Sequence, residues 1–460
     1  MKISESKIFD LINLCIGAIQ KKTYKIRQNS FILSNIDFLI FLAIVFTLVI
    51  STFAPTEIIG YVSISVPVLV VLKVLITKGE KIELEKANFF LLIYLLICLI
   101  SNFTSSLIPQ SLYGFMKTSI YFAFYFAVCQ FLKNNKKLIV PLVSIIALLV
   151  SIESIIGVGQ NIFGVESIST WQDLSYVNPE DVISRVYGTL SPYNPNLFAG
   201  WLIVSFPALL GISALLFCNI KEKTAIAKYT FIASVVMVLI ALLTIFLTGC
   251  RGAYIALFVM FIAIAVASFL VVFKNKEYEK YKKVWSNTLA SLSACAVGFL
   301  LVNQSILKRL LSIFILREDS STSFRMNVYS SAVQMFQDNW IQGIGVGNKV
   351  FREIYGLYML SGFDALSCYC IFLEIAVESG IFALIAFILF LGSLFGANIK
   401  TFMSNKDLGY KILLSVSFIA VLGAMVHGFV DTVYFRPQVQ FVFWIMAAIS
   451  VVLTREEKIQ

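Results

Sequence analysis

The chain of 460 residues is 59% hydrophobic and 13% charged, with a mean hydropathy of +0.88, whereas a soluble domain carries roughly a quarter of its residues as charges. That balance excludes a soluble enzyme, a secreted disulfide scaffold and a nucleic-acid binder. The net charge of +10, from 36 Lys+Arg against 26 Asp+Glu, first reflects where the loops of a membrane protein sit.

Residues 1–35 mix basic side chains with Ile8, Phe9, Leu11, Ile12, Leu14 and Ile16, without a long apolar region or a small-residue cleavage site. This predicts a cytoplasmic amphipathic helix at the membrane interface rather than a cleaved signal. Apolar runs of spanning length follow near 36–53, 58–77, 88–103, 110–132, 138–160, 195–218, 229–247, 252–273, 284–302, 366–398, 412–430 and 438–453. Only helices or closed barrels satisfy all backbone groups inside lipid. Runs such as 252–273 lack period-two alternation, so the expected fold is all-α, a polytopic membrane protein of about twelve transmembrane helices. The parts are residues 1–35, helices one to nine over 36–302, a large outer loop over 303–365, helices ten to twelve over 366–453, and a tail at 454–460.

Lysine and arginine set the threading. The segments 1–35, 78–87, 133–137, 221–228, 274–283, 399–411 and 454–460 hold 25 of the 36 basic residues. The alternation never breaks, which places both termini in the cytoplasm and residues 161–194 and 303–365 on the opposite face. The eight cysteines fall mostly within apolar spans and lack metal-ligand or disulfide spacing. No phosphate-binding loop of the form G-x-x-x-x-G-K-[ST] occurs. No metal and no cofactor are expected.

The two long outer segments exceed what a connection needs. In the second, Phe324, Val328, Ala332, Met335 and Phe336 recur on one face and predict a helix over 323–339, lying on the membrane surface or packed over the bundle. Ser320, Ser321, Thr322 and Ser323 offer capping oxygens at its start. Arg325 sits against the dipole in what reads as the first turn. It either pairs with Glu318 or Asp319 or binds an anion. Arg251 occupies the hairpin tip Thr248-Gly249-Cys250-Arg251-Gly252, where the glycines would let backbone approach a ligand. Arg185 and Arg436 complete the outer set, Arg436 doubling as a possible interfacial anchor. Four converging guanidinium groups would suit a lipid-linked phosphate or pyrophosphate, or a small oxyanion such as bicarbonate.

Ionisable residues within spans are functional candidates by default. They are Lys73, Lys117, Glu153, and Glu374 with Glu378, which share a helix face at i, i+4. The two carboxylates could supply a general base or a proton or cation site, or pair with neighbouring helices or with Lys73 or Lys117. His427, the single histidine, reads as structural, with Asp431 four residues on able to fix its tautomer.

Taken in order, Arg185-Val-Tyr-Gly-Thr-Leu-Ser-Pro-Tyr-Asn194-Pro195-Asn196, the Arg251 tip, Phe324-Arg325-Met-Asn327, Gly343-Ile-Gly345-Val-Gly347-Asn348, Leu373-Glu374-Ile-Ala-Val-Glu378-Ser-Gly380 and Val430-Asp431-Thr-Val-Tyr-Phe-Arg436-Pro437 resemble the IctB-type inorganic-carbon (bicarbonate) transporter family, within the O-antigen ligase and polymerase superfamily. The resemblance runs from about residue 30 to 453. It implies a GT-C-like bundle in a bacterial inner membrane, related to enzymes that transfer a glycan from an undecaprenyl-diphosphate carrier without metal or nucleotide. By the same resemblance Arg251 and Arg325 bind the diphosphate. Where ligases carry a histidine before the tenth span, this chain has Leu366-Ser367-Cys368-Tyr369-Cys370.

Glu374, about a turn from Tyr369, is then the candidate catalytic base. Arg251, Arg325, Arg185, Arg436, Asn194, Asn196, Tyr369, Glu378 and Asp431 form the candidate substrate-binding set. The expected function is ligase- or polymerase-type glycosyl transfer, with a bicarbonate transporter or transport accessory protein as the alternative. The expected partners are a lipid-linked glycan or small anion and membrane lipids, with no nucleic acid.

Overall fold

The computed structural model describes residues 7–164, 185–219, 224–274, 276–302, 304, 307 and 320–455. Every regular element among them is helical. The helices are α1 (Lys7–Asn29), α2 (Ile36–Ser51), α3 (Thr56–Ser63), α4 (Ser65–Ile76), α5 (Lys86–Thr104), α6 (Ile108–Asn134), α7 (Ile139–Phe163), α8 (Pro195–Asn219), α9 (Ala225–Leu247) and α10 (Arg251–Lys274). They continue with α11 (Lys282–Val302), α12 (Ser320–Asp338), α13 (Asn348–Tyr355), α14 (Ile371–Ser404), α15 (Leu408–His427) and α16 (Pro437–Leu453). Each of the twelve apolar runs coincides with one of these helices or, for 58–77, with the consecutive pair α3 and α4. Among the described residues nine helical segments are long and apolar enough to cross a membrane, and α2 and α16 are shorter apolar helices. The chain is an all-α, multi-pass membrane protein.

The helix buried along its whole length, α16, lies at the centre. Every residue of α16 is buried, the polar Gln438, Gln440 and Ser450 included. Trp444 meets Phe122, Tyr125 and Phe443 at ring-centroid distances of 4.9 Å, and its indole N–H donates to Gln440. Around this axis α6 packs on α16, α5 on α14, and α8 on α15. A separate small core forms where α12 lies over the bundle: Val328, Ala332 and Met335 are fully buried against Val350, Phe351 and Val377, with Phe324 and Phe336 at its margin. The face read from the sequence is therefore the packed face, and the helix is docked rather than free on the surface.

Two boundaries differ from expectation. The helix carrying Arg325 starts at Ser320, so Arg325 lies in its second turn, where the dipole effect has faded. The capping side chains expected at 320–323 lie outside the described residues, as do Glu318 and Asp319. The span expected over 366–398 begins at Ile371, runs to Ser404, and is broken at Gly380 (φ 80°, ψ 176°).

Backbone groups freed by a break inside the bundle need internal partners, and the segment 340–347 supplies them. Ile344 N–H donates to the Val377 carbonyl at 2.9 Å, Gly345 N–H to that of Glu378 at 2.9 Å, and Ile381 N–H to that of Trp340 at 2.8 Å. The Glu378 carboxylate accepts from Gly347 N–H at 2.9 Å, and Ser101 donates to the Glu378 carbonyl at 2.8 Å. Ser105 and Ser111 hold the loop from the other side, through the Ile344 carbonyl at 2.6 Å and the Val346 amide at 2.9 Å.

Candidate functional site

The α9–α10 hairpin tip, the chain entering α8, the start of α12 and the α15–α16 connection meet at one end of the bundle. Arg185 is tied to two of these segments. Its Nε donates to the Thr248 carbonyl at 2.7 Å and a terminal nitrogen donates to Asn196 Oδ1 at 2.5 Å. Burial pulls the Arg185 pKa below the ordinary arginine value. Cys250, Tyr254 and Asp431 oppose that shift, and the like charge of Arg251 adds to it. The guanidinium groups of Arg185 and Arg251 are thus electrostatic neighbours across the hairpin tip.

Asn194 accepts from the Asn196 and Leu197 amides at 2.8 and 3.3 Å, closing the first turn of α8 so that Asn196 can face Arg185. Replacing Asn196 by alanine should strip a charge-assisted bond from a buried guanidinium. We expect a loss of about 1–3 kcal/mol, read as a lowered melting temperature in detergent. Unchanged melting would show that Asn196 does not hold Arg185.

Arg325 reaches the same region from α12. A terminal nitrogen lies 3.8 Å from Asp431 Oδ2, and the guanidinium sits 5.6 Å from the centre of the Tyr369 ring. The Arg325 side chain is 31% exposed and that of Asp431 only 8%. Asp431 also accepts from the Val433 amide at 3.2 Å, and it is the described carboxylate within electrostatic reach of both Arg185 and Arg325. Tyr369 has a left-handed backbone (φ 53°), its carbonyl accepts from the Tyr329 hydroxyl at 3.2 Å, and Phe324 packs edge-on against its ring. Burial, then Asp431, pushes its phenol up to about 12, so it remains a neutral hydrogen-bond donor near neutral pH.

Beneath the tip, His427 Nε2 lies 3.5 Å from Cys250 Sγ. Burial raises the Cys250 pKa, but the hydrogen bond and charge of His427 outweigh it and leave the thiol below its ordinary value. The partner of the histidine is therefore Cys250, while Asp431 turns to Arg325. A Cβ on Gly252 would lie 2.6 Å from Val430 Cγ2, so this glycine serves the close approach of α10 to the α15 end rather than a ligand.

The buried carboxylates act on backbone. Glu374, 3% exposed, accepts from Cys368 N–H at 3.0 Å and so holds the turn that carries Tyr369. Glu378 holds Gly347, as described above. Glu153 accepts from the Thr189 amide at 3.0 Å and the Thr189 hydroxyl at 2.5 Å. Neither lysine of the spans pairs with Glu374 or Glu378: Lys73 meets Asp37 at 2.7 Å and Glu80 at 3.6 Å, and Lys117 lies over the Tyr113 ring at 4.6 Å.

Arg185, Arg251, Arg325, Asn196, Tyr369 and Asp431 are thus brought to one end of the bundle, with Asn194 and Glu374 supporting them. Among the described residues no side-chain hydrogen bond or ion pair joins Arg436 to this group. Arg436 is exposed and lies toward Tyr121 of α6. The Cys250–His427 pair escaped the sequence reading. A lone histidine 177 positions from its partner carries no local signal.

A family model described as O-antigen ligase matches residues 235–388, which hold the hairpin tip, α12, the glycine loop and the broken helix. No curated protein matches the chain. The similarity supports a ligase- or polymerase-like membrane protein at the level of the superfamily. The inorganic-carbon branch rests on the sequence motifs alone.

Proposed function

We propose that this protein transfers a glycan from an undecaprenyl-diphosphate carrier to an acceptor hydroxyl at the outer leaflet of a bacterial inner membrane. The single observation that carries the reading is that Arg185, held against the hairpin tip that bears Arg251, and Arg325, 3.8 Å from Asp431, come from separate segments to one end of the bundle. The lysine-poor loops bring these residues to the outer side. Guanidinium groups fixed in place before reaction stabilise charge on the departing diphosphate.

In this reading the diphosphate takes Arg325 from Asp431 when the donor binds. The freed Asp431 carboxylate then accepts the proton of the acceptor hydroxyl as its oxygen bonds the anomeric carbon and the bond from that carbon to the diphosphate oxygen breaks. Glu374 becomes a positioning residue, because one of its carboxylate oxygens accepts from Cys368 N–H and so holds the turn that carries Tyr369. Glu374→Gln, which keeps an acceptor for that amide, should retain activity within a few-fold with an unchanged pH profile, whereas Glu374→Ala should lose most of it. A Gln variant as inactive as the Ala variant would return the base to Glu374.

The whole reading is tested with purified protein in vesicles given an undecaprenyl-diphosphate-linked glycan and a polysaccharide acceptor. Transfer without uptake of labelled bicarbonate is expected. Bicarbonate accumulation with the donor left intact would overturn it.

A further inference from the structure

The cations that stand apart from the arginine cluster form a group of their own. Lys117 of α6 and Lys349 of α13 place their ammonium groups over the same ring, Tyr113, at 4.6 and 5.6 Å from its centre. Lys117 is one helical turn from Tyr121, whose hydroxyl is within electrostatic reach of Arg436 and whose ring packs on Phe441 of α16 at 5.4 Å. Because α6 and α16 run side by side, with Tyr121 level with Phe441 and Tyr125 with Trp444, Arg436 lies at the depth of Lys117. All three cations are exposed, and none pairs with a described carboxylate. Glu353, one turn beyond Lys349, makes no ion pair with it.

The two lysines that share the Tyr113 ring repel one another, and a single tyrosine face offsets little of that. The depth is also informative. Lys117 lies nine residues into α6, about 13 Å below the start of the helix at 1.5 Å per residue. Its neighbour Met116 is 65% exposed in a helix apolar enough to span. A charge on such a face needs a polar partner brought by lipid or solvent. The exposed apolar side chains beside it suit an acyl chain.

We propose that Lys117, Lys349 and Arg436 form a second anion site, separate from the arginine cluster at the hairpin tip, that holds a phosphate ester, most fittingly the headgroup of an anionic phospholipid. Arg436 binds there rather than with Arg185, Arg251 and Arg325. The site does not depend on the catalytic reading and is tested by binding alone.

Full-length protein would be purified in neutral detergent, exchanged into mixtures of phosphatidylglycerol and phosphatidylcholine, and its retained lipid weighed by native mass spectrometry. The wild type should retain phosphatidylglycerol preferentially. The variant carrying Lys117→Gln, Lys349→Gln and Arg436→Gln should lose that preference by at least about tenfold, on a scale of roughly five-fold per basic side chain at an anionic surface. Arg325→Gln should keep the preference. A parallel arm adds inorganic phosphate alone. Protection against thermal unfolding by phosphate in the wild type and not in the triple variant assigns the site to a free phosphoryl ligand, whereas retention of phosphatidylglycerol unaffected by phosphate assigns it to lipid. Equal retention by wild type and triple variant, with no phosphate effect, overturns the site. Equal melting of both proteins in phosphatidylcholine checks that the substitutions leave the fold intact.

Discussion

Arg325→Ala is expected to lower glycan transfer by about 10²- to 10³-fold, the scale for removing one fixed donor from developing charge, without lowering the melting temperature by more than a degree or two. The stability side follows from exposure. With a side chain 31% exposed and 3.8 Å from Asp431, this ion pair contributes little to folding. Its stacking on Tyr369 adds an amount of the same small order. The partner variant separates the two roles. Asp431→Asn should leave binding of the lipid-linked donor intact and reduce turnover by a comparable factor, because it removes the proton acceptor and keeps the arginines. If Arg325→Ala and Asp431→Asn both merely lower melting, or both retain normal transfer, the pair is structural and the proposed mechanism fails. Arg325→Lys should fall between, since an ammonium keeps the charge and loses the two-pronged geometry.

The second large effect concerns folding. Gly343→Ala should destabilise the protein by more than about 3 kcal/mol, which belongs to the few substitutions that force backbone apart. At φ 68° the new Cβ would lie 2.3 Å from the Glu378 carbonyl oxygen and 2.5 Å from the Ser379 nitrogen, neither of which can swing away. Gly380→Ala is expected to behave alike, its Cβ meeting the Ile341 carbonyl oxygen at 2.1 Å with φ at 80°. These glycines are the two halves of one joint, where the loop after α12 fills the break in α14. The control is Gly79→Ala, at φ 81° with open space around the new atom. It should show only the backbone preference, about 1–2 kcal/mol. Thermal melting and protease sensitivity read all three. Gly343→Ala melting with Gly79→Ala would mean that the joint is not tightly closed. Because α12 carries Arg325, a strained joint should also cost transfer activity in whatever fraction of the protein still folds.

Much of this architecture was legible in the linear chain. Apolar runs of fixed length can only be helices in lipid, so each of the twelve fell on a helix or a helix pair. The 3.6-residue spacing of Val328, Ala332 and Met335 foretold the buried face of α12. What composition could not convey was the break at Gly380, since the residues on either side are as apolar as an unbroken span needs and the breaking groups are satisfied by a loop some 35 positions earlier in the chain. The arginines drew attention singly, because a cation in a lysine-poor outer segment is unusual. Which of them meet was hidden.

The sequence by itself determined that this is a helical protein threaded many times through a membrane, because hydrophobic length and basic-loop bias act locally and additively along the chain. Only the tertiary structure decided that Arg325 reaches Asp431, that Arg185 ties the hairpin tip to Asn196, that Cys250 finds His427, and that Glu374 and Glu378 each turn a carboxylate oxygen to a backbone amide. Apart from the Glu374–Cys368 bond, which spans six positions, each of those pairings joins residues from different segments of the fold. Hydrogen bonds and ion pairs act over a few ångströms, so distance in space governs them and separation along the chain carries no trace of it.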